Sequence, residues 1–169
     1  TNFISNCILA GGFSTVPGNN LQENGWYYNS MNDCSSTWAG VEPLYRFIKN
    51  NTRDIGSKQE YLSGVFNKPY KYSPEHIVYS PRVGDILQIK YNSPGDYAFP
   101  NFGHSTLITG FSPAGGSAID IRITSRTRAG VANSHDNVKL SEYYSGASST
   151  ASGCGDHLFR FIRLDFNNN

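Results

Sequence analysis

The sequence predicts an α+β domain in which helices come first and antiparallel strands follow. Two observations carry this reading. Apolar residues recur twice at helical spacing before Asn50, and from Gly84 onward the period shortens to that of strands. Clusters of Gly, Pro and Asn separate the later segments, as turns between antiparallel strands require. The 169 residues suit one domain spanning 1–166, with only the terminal Asn run at 167–169 reading as disordered.

The first element covers residues 1–9. Phe3, Ile4, Cys7 and Ile8 recur at helical spacing, and Gly11-Gly12 stops the helix. A polar stretch runs from 14 to 37, with Gly25-Trp26-Tyr27-Tyr28 embedded in it. Residues 38–50 predict a second helix whose Trp38, Val41, Leu44, Tyr45 and Ile48 share a face. The connector over 51–81 carries at most a short strand. Gly84 and Asp85 then turn the chain into a strand ending near Tyr91. A second strand covers 104–110, and Pro113-Ala114-Gly115-Gly116 marks the turn after it. Residues 118–124 alternate as a third strand, and 157–164 alternate as a closing one.

Composition excludes several classes. A chain of this length buries about two-thirds of its unfolded surface, so it needs no metal or disulfide to hold together. Lys and Arg total 14 against 13 for Asp and Glu, a net charge of +1 that leaves no electrostatic footprint for nucleic acid or an anionic membrane. No apolar run approaches the roughly 20 residues of a membrane span. Charged residues make up only 16%, and Asn, Ser, Gly and Tyr carry the polarity, as in many extracellular proteins that handle polymers. The opening TNFISNCILAGG has no basic region before its apolar stretch and is not a signal peptide, which a mature or trimmed chain would also lack. Cys7, Cys34 and Cys154 are widely spread with no CxxC pair, which argues against zinc, and their odd count leaves at least one thiol free or paired elsewhere. Nothing resembles a phosphate-binding loop, and no metal or cofactor is expected.

Short motifs carry the chemistry. In order they are residues 1–12 (TNFISNCILAGG), Gly25-Trp26-Tyr27-Tyr28, Ser36-Thr37-Trp38, Gly84-Asp85-Ile86-Leu87-Gln88 and Gly103-His104-Ser105-Thr106-Leu107-Ile108-Thr109-Gly110. Over about residues 1–128 this series resembles the amidase domains of secreted Gram-positive bacterial proteins, relatives of papain-like cell-wall hydrolases and CHAP-type cysteine amidases. The resemblance implies a papain-like fold with N-terminal helices packed on an antiparallel sheet. It also implies a cysteine-dependent amide hydrolase, secreted or associated with the cell wall, acting on an amide of peptidoglycan or a related peptide. In that family the nucleophile precedes Thr-Asn-Phe, so the resemblance places a catalytic Cys immediately before Thr1, outside this sequence. The domain is then expected to lack its N-terminal segment, and that segment or a separate chain would carry the thiol. A Cys there has a physical reason, because the free N–H groups and positive dipole end of a helix stabilise a thiolate.

His104 is the candidate base. It opens an apolar strand directly after Gly103, where an imidazole can face a cleft, accept a thiol proton and return it to the leaving amine. His76, His135 and His157 have no such setting and read as surface residues. The imidazole's orienting partner is expected from the next strand, where Asp120 alternates with apolar residues. Relatives carry Tyr-His-Thr on this strand, whereas this chain has Ser125-Arg126-Thr127. Trp26, Tyr27 and Trp38 are candidates to line a substrate groove, against packing of the helices onto the sheet. Cys7, flanked by Ile4, Ile8 and Leu9, reads as a small buried hydrophobe whose thiol pKa burial would raise. Two rival readings stand beside the thiol enzyme. One is a catalytically inactive binding domain that keeps the aromatic groove. The other is an amidohydrolase using Thr1 as nucleophile and its own amine as base.

Overall fold

A computed structural model describes residues 2–19, 23–50, 61–66, 81–90, 102–113, 119–126, 134–140, 142–143 and 157–164, with the backbone alone at 61–66, 90, 119 and 157–159. The expected tail at 167–169 and Cys154 lie outside these residues.

Helix α1, Asn2–Ala10, is the first expected element. It ends where the sequence says it should. Gly12 takes the left-handed conformation at φ 104°, its N–H donates to the Leu9 carbonyl at 3.0 Å, and the Phe13 N–H donates back to Ile8 at 3.4 Å. This pair of reversed bonds closes the helix, and Ile8 and Phe13 lie in one core cluster. After it the chain forms a single bridge between Val16 and Trp26. There Gly18 and Gly25 lie backbone against backbone. A Cβ on Gly25 would meet the Gly18 Cα at 2.8 Å, so the glycine before Trp26 is a matter of space. A short ribbon follows, β1 at Tyr28–Ser30 and β2 at Asp33–Cys34.

The expected helix over 38–50 is in fact two, α2 at Ser36–Ala39 and α3 at Val41–Asn50. Pro43 explains the break. In a continuous helix it would owe a hydrogen bond to Ala39 that it cannot donate, and its ring would strike that carbonyl. Gly40 is extended instead (φ −99°, ψ 144°) and its carbonyl accepts from Leu44 at 3.1 Å, so Pro43 falls in the first turn of α3, where no donor is needed. Helix α2 starts at Ser35, whose Oγ accepts the Trp38 N–H at 3.2 Å and that of Tyr27 at 3.1 Å.

The remaining strands are β3 (Tyr61–Phe66), β4 (Ile86–Lys90), β5 (His104–Pro113), β6 (Ile119–Arg126), β7 (Ser134–Lys139) and β8 (His157–Ile162). They form one six-stranded sheet, antiparallel throughout, in the order β3-β8-β4-β5-β6-β7. Two elements differ from expectation. Strand β7 was not anticipated, and the strand expected to close the domain lies inside the sheet, paired with both β3 and β4.

The sheet separates two cores. Ile86 and Ile162 join Ile4, Ile8, Trp26, Trp38, Leu44, Phe47 and Ile48 on the face covered by the helices. On the opposite face Leu87, Ile89, Ile108, Ile121, Ile123 and Phe161 pack with Leu140. Gly84 turns the chain into β4 at φ 94°, and the buried Asp85 carboxylate binds the Arg163 guanidinium through two atoms at 3.1 and 3.0 Å. The Gly-Asp pair is therefore a structural joint between β4 and the segment after β8.

Candidate active site

His104 stands at the first position of β5, directly opposite Ile89 of β4. The Gly103 N–H donates to the Ile89 carbonyl at 3.0 Å, which fixes the backbone just before it. Because facing residues share a side and successive residues alternate, His104 lies on the face of Ile89 and Ile108, away from the main helical layer. Its ring runs parallel to that of Tyr143, with centroids 6.2 Å apart and planes 3° from parallel. Tyr143 in turn takes the edge of His135 at 4.7 Å. Only 7% of His104 remains exposed. Burial pushes its pKa down to about 4, with further lowering from the nearby His135. At neutral pH the imidazole is therefore neutral. Its Nε2 atom is buried and has no hydrogen-bond partner among the described residues.

The start of α1 reaches the same corner. Helix α1 packs against β5, and Phe3 lies under the Arg126 guanidinium, 5.8 Å from its ring centroid, at the end of β6. Thr1 itself, and with it the expected geometry of a Thr1 nucleophile, falls outside the described residues.

A buried polar network holds both flanks of His104 on the helical side. The Arg160 guanidinium lies between the rings of Tyr45 and Phe102, at 3.6 and 3.8 Å from their centroids. It donates to both carboxylate oxygens of Glu42 at 3.3 and 3.1 Å and to the Gln88 Oε1 at 2.9 Å. Gln88 donates through Nε2 to the Val41 carbonyl and to the Ser105 Oγ, while the Phe102 N–H donates to Glu42 at 3.1 Å. A planar, permanently charged guanidinium suits this sandwich and fork, which a lysine could not reproduce. Residues 102 and 105, on either side of His104, are thereby tied to α3 and β8.

Several expected site residues are placed elsewhere. Asp120 is on the neighbouring strand but pairs with Ser112, eight positions along β5 from His104. At about 3.3 Å per residue that is roughly 26 Å, so Asp120 does not orient the imidazole. Trp26 and Trp38 do not line a groove. They are 1% and 2% exposed and pack ring against ring at 4.8 Å, with Phe47 stacked beyond Trp26. Their bulk is spent on joining α2 and α3 to the sheet, and the Trp26 Nε1 donates to Ser5 at 3.3 Å. Tyr27 is half-buried and Tyr28 is exposed over the face of Trp38. Cys7 is half-buried rather than buried, and burial raises its thiol pKa as expected. The side chains of His76 and His157 lie outside the described residues. His135, read from sequence as surface, belongs to the aromatic cluster beside His104. Tyr143 was also missed, since only the return of the chain brings it here and no local spacing records that.

Among the described residues no group of three His, Cys, Asp or Glu side chains is placed to hold a metal ion, and no helix is long and apolar enough to cross a membrane. No curated protein and no solved structure matches the chain. The family model described as a putative amidase domain matches residues 1–151, and the chain belongs to that family.

Proposed function

We propose that the domain hydrolyses amides through a thiol, in a papain-like arrangement related to the CHAP-type amidases, with His104 as base and the nucleophilic Cys immediately before Thr1. Membership of the amidase-domain family supports amide hydrolysis in general. The observation that carries the finer reading is a buried imidazole at the start of β5, with α1 packed against that strand and Phe3 of α1 beside Arg126 at the adjoining end of β6. A thiol ahead of α1 would reach His104 around the end of β5 rather than across the helix–sheet interface. There the free N–H groups of the helix start favour the thiolate and can also hold the developing oxyanion. His104 accepts the thiol proton, the thiolate attacks the amide carbon to give an acyl-enzyme, and the imidazolium protonates the departing amine. Water, deprotonated by the same imidazole, then releases the acid.

The substrate we propose is an amide of peptidoglycan or a related peptide, met outside the cell or at the cell wall of a bacterium. The rival binding role draws no support from Trp26 and Trp38, both of which are buried. The test is hydrolysis of peptidoglycan-derived amides by the chain extended with Cys before Thr1. Replacing His104 by Ala should lower turnover by about 10² to 10⁴. Equal turnover in the His104→Ala chain would end the proposal, and activity of the unextended chain that is lost on Thr1→Ala would instead favour the terminal threonine.

A further inference from the structure

We propose that Ser125 is the positioning residue for His104, its hydroxyl oxygen accepting a hydrogen bond from Nε2–H of the imidazole. Two buried polar atoms motivate this, since among the described residues neither Nε2 of His104 nor Oγ of Ser125 has a hydrogen-bond partner. Such orphans are rare in folded proteins, because each forfeits its bonds to water. Finding two on adjacent strands calls for a common account. Ser125 is wholly buried, at 0% exposure.

The register brings them together. Leu107 pairs with Thr124 and Ile108 with Ile123, so continuing by one residue sets Ser125 opposite Thr106. The irregularity in this ladder falls between Ile108 and Gly110, beyond the stretch concerned. Ile108 and Ile123 belong to the second core, and alternation places His104, Thr106 and Ser125 on that same face. His104 and Ser125 are thus diagonal neighbours, with Cβ atoms roughly 7 Å apart. An imidazole, a hydroxyl and a hydrogen bond of about 2.9 Å together span that gap. In the structure the two atoms are not within bonding distance of each other, and the proposed contact forms by rotation of the two side chains.

The chemistry requires this direction. If Nε2 carries the proton and gives it to Ser125, Nδ1 keeps its lone pair for an incoming proton. The parallel ring of Tyr143 limits rotation about the imidazole's other axis. A serine in place of a carboxylate leaves the imidazole neutral at rest. The use of that proton in catalysis rests on the thiol reading above, whereas the hydrogen bond itself does not.

Nitrogen-15 and proton NMR of the imidazole in the 169-residue chain tests it without any assay of activity. At neutral pH the His104 Nε2–H should be visible downfield, with Nδ1 unprotonated. Ser125→Ala should speed exchange of that proton with water about tenfold, the equivalent of one net hydrogen bond, while the melting temperature stays close to wild type. Ser112→Ala removes another buried unpartnered hydroxyl on the far part of β5 and should leave the signal unchanged. A signal indifferent to Ser125→Ala, or equally altered by Ser112→Ala, would overturn the assignment. In the Cys-extended chain Ser125→Ala should lower kcat with KM little changed. If NMR places the bond and the extended chain has no activity, the thiol reading fails and the positioning contact stands.

Discussion

A histidine whose pKa burial has lowered to about 4 carries a consequence for stability. In the unfolded chain the group titrates near 6.5, so between these values the unfolded state binds the extra proton and the folded state does not. Its contribution is fully present above about pH 6.5 and is lost as the pH falls toward 4. The span of about 2.5 units corresponds to roughly 3 kcal/mol at most, since exposure of the unfolded group and relaxation of the site reduce it. Urea midpoints measured from pH 7 down to 4.5 should therefore fall steeply in the wild-type chain and less steeply in His104→Phe, which cannot take up the proton. Parallel slopes would place the acid sensitivity elsewhere. At this scale a motif located the strand start at His104. The sequence was silent where the environment came from afar, as with His135 and Tyr143. Trp26 and Trp38 show the same limit: aromatic side chains suit a groove and a core equally, and only packing separates the two.

At the scale of elements, punctuation was legible and pairing was not. Gly11-Gly12 marked the end of α1 because only glycine takes a positive φ there at little cost. Gly12→Ala should thus destabilise the domain by about 1 kcal/mol, read from the urea midpoint, although no atom stands within 4 Å of the added methyl. An unchanged midpoint would mean that the reversed bonds from Gly12 and Phe13 do not hold the helix end. The helix over 38–50 was misjudged because its apolar face runs on through Gly40, whereas Pro43 breaks the hydrogen-bond ladder beneath that face. Asp120 was misjudged for a related reason. Alternation identifies the face on which a residue lies but not its distance along a partner, and register alone set it opposite Ser112 rather than His104. Strand β7 escaped notice because its residues, Ser134 to Lys139, are polar except Val138 and all exposed or half-buried, so no alternation advertises it.

The whole molecule turns on where the last strand goes. The family match ends at residue 151, yet β8 lies beyond it and sits between β3 and β4. From β8 and the residues after it come Phe161 and Ile162, each on a different core, together with Leu164. Burying three such side chains is worth about 6 kcal/mol, comparable to the entire stability of many domains. The same segment supplies Arg160 to Glu42 and Gln88, and Arg163 to Asp85. Removing it would strand the buried Asp85 and half-buried Glu42 carboxylates without their cations and divide the sheet, which costs more than the lost packing alone. A chain ending at residue 151 should therefore lack a cooperative urea transition and dispersed amide resonances, and the unextended His104 imidazole signal should move to that of a free histidine. A chain of that length that unfolds cooperatively near the full-length midpoint would show that β8 is an addition to the domain rather than part of its core.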